Sequence, residues 1–133
     1  MRRPADLAIF AFASVVVPWG LSGMLFARFW LETILHLPLD TLEPVVRATF
    51  VSEFRFLEAR ELGVGLLALA FRERIVTERL ANRVFLATVV AAPVSRVIAW
   101  IAEGPPHLLF QAFAATEVCM TLLIYWTTRR TIA

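Results

Sequence analysis

Ionisable side chains interrupt an otherwise apolar sequence at three places where the chain could do chemistry. Glu58, Arg60 and Glu61 lie within four residues, and the run that follows them, 62–71, has no ionisable side chain. Arg96 and Glu117 each stand alone in a later apolar stretch. Two carboxylates in different environments can serve as acid and base, and an Arg/Glu set can hold a proton or a ligand. Either chemistry requires elements that bring these distant residues together.

The composition indicates that a lipid bilayer surrounds those elements. The chain has 133 residues, of which 59% are hydrophobic and only 18% are charged, and its mean hydropathy is +0.73. In a typical soluble domain about half of the residues are apolar and about a quarter are charged. A small domain cannot bury such an apolar excess in its own core. We therefore expect a single integral membrane domain over residues 1–133.

Several classes of function lack any sequence signal. The net charge is only +2, and no basic stripe interleaved with aromatic residues indicates nucleic-acid binding. The single cysteine, Cys119, excludes an internal disulfide, and no Cys/His spacing suits zinc. His36 and His107 both lie in predicted connections, and neither a nucleophile–His–acid set nor a phosphate-binding glycine loop is present. We expect no cofactor, no metal and no nucleic-acid partner.

Four apolar stretches predict membrane-spanning helices, because about twenty residues cross the hydrocarbon layer as a helix. They cover approximately residues 7–27, 50–71, 80–102 and 107–128. The second is the least apparent from hydropathy because it contains Glu58, Arg60 and Glu61. The expected fold is an all-α transmembrane four-helix bundle.

The distribution of arginine predicts the orientation of these helices. Only Arg28 and Arg47 lie between the first two spans. By the positive-inside rule, both termini and the loop between spans two and three are then cytoplasmic, an arrangement that needs an even number of spans. The arginines on that side are Arg2, Arg3, Arg72, Arg74, Arg79, Arg83, Arg129 and Arg130.

The connections predict two kinds of reversal. The segment FWLETILHLPLDTLEPVV, residues 29–46, reads as a short interfacial helix ended by Pro38. Asp40 and Glu43 have the spacing of a capping box before a new helix, with Pro44 tolerated in its first turn. The segment EGPPH, in which Gly104 permits the reversal, predicts a tight hairpin between spans three and four.

Prolines and glycines inside the spans predict features of helix shape and packing. Pro18 and Pro93 lie within spans one and three, where each removes a backbone donor and is expected to kink its helix. Gly63 and Gly65 are expected to allow close packing of span two against a neighbouring helix.

The charged residues of the last three spans are expected at similar depths in the bilayer. Inserting a single unpaired charge at the centre of a membrane helix costs about 2.5–3.5 kcal/mol on insertion scales. Such groups turn inward and pair, so the predicted ion pairs are Arg60 with Glu117 and Arg96 with Glu61. Glu58 points away from Arg60 around the helix. Three interpretations remain open: ion pairs that fix helix register, a site for a proton or ligand, and charges that face a second protein.

Three segments together resemble a known family: EARELGVGLLALA, SRVIAWIAEGPP and AATEVC. They are similar to a widespread bacterial family of small four-span membrane proteins known only as a domain of unknown function, and more loosely to DoxX-like proteins. The matching residues are Arg60, Gly63, Arg96, Gly104 and Glu117. The chain departs from the pattern at Glu61–Leu62 and has additional acids at Glu53 and Glu58. The resemblance implies a multi-pass protein of the bacterial inner (cytoplasmic) membrane and no established activity.

Three functions are compatible with these patterns. The first is a non-catalytic accessory or structural subunit that packs in the bilayer against other membrane subunits or further copies of itself. The alternative is a binding protein or carrier for a lipophilic ligand or a proton, using the Arg/Glu cluster. The third is an intramembrane enzyme, such as an isomerase, with Glu117 and Glu61 as acid and base.

Overall fold

The computed structural model describes residues 2–106 and 108–132, which are mostly helical and contain no β-strand. The all-α class predicted from the sequence is therefore confirmed for this part of the chain. Single turns of π-helix and 3-10 helix cover Trp30–Ile34 and Leu39–Thr41. The α-helices are α1 Arg2–Leu25, α2 Ala27–Phe29, α3 Pro44–Ala70, α4 Arg72–Thr77, α5 Arg79–Glu103 and α6 Leu108–Ile132.

Three helices are long and apolar enough to cross a membrane. They are Pro4–Leu25, Arg79–Glu103 and Leu108–Arg129, and they correspond to the first, third and fourth predicted spans. A helix of this length extends about 33–37 Å, more than the roughly 30 Å of the hydrocarbon layer. α3 has 27 residues and is also long enough. Its ionisable residues distinguish it from the apolar three, and its membrane crossing stays a prediction.

The outer surface of α5 and α6 is apolar, as a helix in contact with lipid requires. Ile98, Ile101, Leu108 and Trp126 are 62–82% exposed. Exposed apolar side chains in such number are typical of a surface that contacts lipid or another protein. Surface composition and helix length therefore agree on a membrane environment.

Helix boundaries follow the local sequence signals. α3 begins at Pro44, which has no backbone donor to leave unsatisfied at the first helical position. α5 ends at Glu103, and Gly104 follows as its cap with a φ of 93°, in a region that favours glycine. α1 and α5 continue as helix on both sides of Pro18 and Pro93 respectively.

The helical segment after α1 ends before Pro38, earlier than predicted. His36 adopts a positive φ of 54°, and the Leu37 N–H donates back to the Leu31 carbonyl at 2.9 Å. This closure by a residue in left-handed conformation is a common way to end a helix, and it satisfies a terminal carbonyl. Proline is therefore not the residue that stops the segment.

The chain divides into two compact units, which are described separately. The hairpin unit contains residues 1–12 and 68–133, and the central unit contains residues 13–67. In the hairpin unit α5 and α6 pack as an antiparallel hairpin, and α4 packs against both of them. Ile9, Val76 and Ile124 are fully or almost fully buried, and the rings of Phe12 and Phe85 meet edge to face at 5.7 Å.

In the central unit the second half of α1 packs closely on α3. Gly20 lies against the α3 backbone at Glu58 and Leu62, and Gly65 of α3 lies against Val17. Small residues at a helix contact allow backbones to approach closely, which replaces the hydrophobic driving force that is absent in lipid.

Candidate functional site in the helical hairpin and on the third helix

Arg96 and Glu117 form an ion pair inside the hairpin. The Arg96 Nε donates to both carboxylate oxygens of Glu117, at 3.1 and 2.9 Å, and Nη2 donates to Oε1 at 2.9 Å. The side chains are 31% and 22% exposed, so the pair is largely shielded. Multiple charge-assisted hydrogen bonds of this kind fix orientation as well as charge.

The register of the hairpin explains why these two residues meet. Arg96 lies eight residues before Gly104, and Glu117 lies nine residues after Leu108. Both are therefore about 12–14 Å from the turn along adjacent helices, near the middle of the bilayer if the hairpin crosses it.

The Arg96–Glu117 pair was not predicted from the sequence. Arg96 was expected to pair with Glu61 and Glu117 with Arg60, whereas the ion pair in the hairpin unit joins Arg96 to Glu117. A short turn forces α5 and α6 to be neighbours, so residues equidistant from it are matched in height before any other helix is considered.

Aromatic and hydroxyl groups support the Arg96–Glu117 pair. The Arg96 guanidinium carbon lies 5.8 Å from the centre of the Phe110 ring, within the range of a cation–π contact. Phe110 in turn meets Phe113 edge to face at 6.2 Å. The buried Thr121 hydroxyl donates to the Glu117 backbone carbonyl at 2.7 Å. The Phe110 ring therefore contacts the guanidinium, and the Thr121 bond lies on the backbone of the residue that carries the carboxylate.

α3 presents its charged residues on opposite faces. Glu58 is only 7% exposed, and its carboxylate packs against Gly23 of α1. Glu61 is half-buried. Arg60 lies about 200° from Glu58 around the helix and is exposed, as is Glu53, which shares its face seven residues earlier.

The close contact expected at Gly65 is present, whereas the one expected at Gly63 is not. Gly63 has open space around the position of a Cβ, whereas Gly20, Gly23 and Gly65 make close approaches within the central unit. Gly20 and Gly23 were not singled out from the sequence, although their three-residue spacing in WGLSGM places both on one face of α1. That spacing of small residues is the signal that could have identified them.

A polar cluster fixes the segment between α1 and α3. Arg28 binds Glu32 at 2.9 Å and Asp40 at 2.6 Å, and Arg47 approaches the same Asp40 oxygen at 3.5 Å. Hydrogen bonding to Glu32 raises the pKa of Arg28, and the charge of Asp40 adds to that shift. Asp40 therefore stabilises the segment by its ion pairs with Arg28 and Arg47. It does not cap α3, which was the role expected from the sequence. The Trp30 indole donates to the Ser22 hydroxyl at 3.0 Å.

Within residues 2–106 and 108–132, no three His, Cys, Asp or Glu side chains lie close enough together to hold a metal ion.

Comparison with known proteins places these features in a family. No curated protein and no solved structure matches the chain. Residues 5–128 match the family described as domain of unknown function DUF4345. The match extends over α1 to α6 and includes both members of the Arg96–Glu117 pair. The chain therefore belongs to the DUF4345 family of domains of unknown function.

Proposed function

We propose that the chain is a four-span protein of the bacterial cytoplasmic membrane that acts as a non-catalytic subunit of a larger membrane complex. In this proposal α3 crosses the bilayer together with α1, α5 and α6, and both termini are cytoplasmic. The partner packs on the face of α3 that contains Glu53, Phe56, Arg60, Gly63 and Leu67, which we call the outer α3 face.

The observation that supports the proposal is the exposure of Arg60 at membrane depth. Arg60 is ten residues from the predicted entry of α3 at Phe50, about 15 Å into the bilayer. It has no ion pair or side-chain hydrogen bond with the described residues, and it is exposed. An unpaired arginine at this depth is costly, whereas an acidic residue of a partner helix would neutralise it.

The spacing of the outer α3 face suits a packed helix. Its members recur at intervals of three and four residues, the pattern of a helix–helix seam. Phe56 and Leu67 are 60% and 55% exposed, and Gly63 leaves room for a large partner side chain. The face therefore combines apolar surface, open space at Gly63 and charge.

The charges favour a different protein over a second copy as the partner. Copies with the same orientation in a membrane, related by a two-fold axis, would place Arg60 against Arg60 and Glu53 against Glu53. Like charges at this depth repel each other. A helix of a different protein could place an acidic residue beside Arg60 and a basic residue beside Glu53, and both charges would then be neutralised.

Photo-cross-linking in native membranes tests this proposal with a matched pair of positions. Leu67 lies on the outer α3 face, while its neighbour Leu66 is turned away by about 100°. The two leucines are similarly exposed, at 55% and 50%. A photoreactive residue at Leu67 should yield one discrete protein adduct, and the same residue at Leu66 should label lipid.

Substitutions at Arg60 distinguish specific packing from chance proximity. Arg60→Glu should abolish the Leu67 adduct, and Arg60→Lys should retain it because the charge is kept. Arg55→Leu, on the same helix about 140° away, is the control and should leave the adduct unchanged. Equal labelling at Leu66 and Leu67, or an adduct insensitive to Arg60→Glu, contradicts the proposal.

A carrier for a proton or lipophilic ligand, built on Arg96 and Glu117, is less favoured. Arg96 engages both carboxylate oxygens of Glu117, so the two charges already neutralise each other and the pair presents no net charge to a cargo. A carrier would lose ligand binding or transport in Glu117→Gln with its stability unchanged, whereas a structural pair predicts lost stability.

A further inference from the structure

A groove lies between α5 and α6 at the end of the hairpin opposite the Gly104 turn. Its volume is about 290 Å³. It shares no residue with the Arg96–Glu117 pair or with the outer α3 face. Its lining residues, which we call the basic groove, are Arg79, Asn82, Arg83, Leu86, Tyr125, Arg129 and Ile132.

Helical periodicity assembles the basic groove from both helices. The α5 members occupy the first two turns at positions 79, 82, 83 and 86, which share one face. The α6 members, at positions 125, 129 and 132, share one face of its last two turns. Because the hairpin is antiparallel, the beginning of α5 and the end of α6 lie side by side.

The basic groove concentrates positive charge. Among the residues that the structure describes, its lining contains three arginines and no carboxylate. Glu78, which precedes Arg79 in the chain, binds a different arginine, since it pairs with Arg74 at 3.7 Å. The charge of the groove is therefore available to an anion from outside the protein.

Two of the arginines are held at the groove by contacts that leave their charge unneutralised. The Arg129 guanidinium carbon lies 5.9 Å from the centre of the Tyr125 ring. Arg79 donates a long hydrogen bond, 3.5 Å, to the backbone carbonyl of Ile132. Guanidinium groups positioned in this way can offer forked pairs of donors to phosphate oxygens.

Three further lining residues, Leu86, Ile132 and Asn82, contribute either apolar surface or a side chain whose hydrogen bond is already made within the protein. Leu86 and Ile132 are half-buried and contribute aliphatic surface. The amide of the buried Asn82 donates to the Ile75 carbonyl at 3.1 Å, so Asn82 forms a fixed wall. A small inorganic anion would leave the apolar part of the groove uncovered, whereas an amphiphile would cover both parts.

The position of the groove along the hairpin also matches a lipid headgroup. Arg79 precedes the third predicted span, which begins at residue 80, and Arg129 follows the fourth, which ends at residue 128. Phosphates lie at this level of a bilayer, just outside the hydrocarbon layer, and basic pockets between membrane helices bind anionic headgroups there.

We propose that the basic groove binds the phosphate of an anionic phospholipid, with the acyl chains lying along the apolar outer surface of the hairpin. Arg79, Arg83 and Arg129 contact the headgroup, and the Tyr125 hydroxyl is a further donor. The ligand is a lipid rather than free phosphate because the groove combines the cationic rim with an aliphatic wall. The proposed role of the outer α3 face is not required for this site.

Binding to the full-length protein in detergent, followed by native mass spectrometry, tests the site with three probes. Phosphatidylglycerol should remain bound at concentrations where phosphatidylcholine, with matched acyl chains, does not. Inorganic phosphate at millimolar concentration should not displace it. Equal retention of the two lipids overturns the proposal, and displacement of phosphatidylglycerol by inorganic phosphate overturns the assignment to a lipid.

Variants locate the binding to the groove. Arg83→Gln and Arg129→Gln should each weaken phosphatidylglycerol binding about fivefold, which corresponds to one arginine at an anionic surface. Arg55→Gln, an exposed arginine of α3 outside the groove, is the matched control and should bind as the wild type does. If the control loses as much affinity as the groove variants, the site lies elsewhere. The comparison of lipids on the wild-type protein does not depend on whether any variant folds.

Discussion

Replacing Glu117 with glutamine tests the role of the hairpin ion pair most sharply. Glutamine keeps the size of the side chain but removes the negative charge opposite Arg96. The guanidinium would then be an uncompensated cation about 12–14 Å from the hairpin turn. A lone arginine at the centre of a membrane helix costs about 2.5–3.5 kcal/mol on insertion scales.

The partial exposure of the pair reduces that cost. Arg96 and Glu117 are 31% and 22% exposed, so Arg96 can move part of its charge toward the interface by extending its side chain. We expect Glu117→Gln to lower the free energy of unfolding by about 2 kcal/mol, between the values for an exposed and a buried pair. This change corresponds to about a 30-fold shift in the folding equilibrium.

A double-variant cycle separates the interaction from the effects of each side chain. Reversible unfolding in mixed micelles with increasing sodium dodecyl sulfate can be followed by the fluorescence of the four tryptophans. Arg96→Leu and Glu117→Leu should each destabilise the protein. The double variant should recover most of the loss, because an apolar pair often replaces an ion pair without cost.

Additivity is the result that would refute this reasoning. If the two single substitutions destabilise by amounts that sum to the effect of the double variant, the side chains do not interact energetically. Wild-type stability in Glu117→Gln would refute it as well. Far-UV circular dichroism of each variant verifies that helix content is unchanged before the comparison.

Two further predictions concern glycines and use the same unfolding assay. Gly23→Ala should destabilise the protein because the added methyl overlaps the Glu58 carboxylate, while Gly63→Ala, with open space, should be neutral or stabilising by about 0.5–1 kcal/mol. If Gly63→Ala destabilised the protein more than Gly23→Ala, the result would contradict the packing of α1 on α3. Gly104→Ala should cost about 1 kcal/mol because the turn requires a positive φ of 93°. No change on this substitution would contradict the described turn.

The helical class and the principal helix boundaries follow from local signals in the sequence. Pro44 and Gly104 mark the beginning of α3 and the end of α5, because proline and glycine impose backbone requirements that do not depend on the rest of the fold. Long apolar stretches likewise identify three helices that can cross a membrane. These features are local, and the sequence is sufficient for them.

Ion pairing depends on which helices are neighbours, and the prediction from the sequence missed the Arg96–Glu117 pair. Arg96 and Glu117 could have been paired by counting residues on each side of the hairpin turn. The prediction instead distributed the charges over three helices by approximate depth. The contacts of Gly20 and Gly23 were missed for a related reason, since the need for a small residue is set by the opposing helix.

The number of membrane crossings is the central claim, and cysteine accessibility measures it directly. In a Cys119→Ser background, single cysteines replace the exposed residues Glu43, Glu73 and Glu103, and intact cells are treated with a membrane-impermeant maleimide. The four-span arrangement predicts labelling at Glu43→Cys and Glu103→Cys, and protection of Glu73→Cys until the membrane is permeabilised. Labelling of Glu43→Cys and Glu73→Cys from the same side would show that α3 does not cross the membrane.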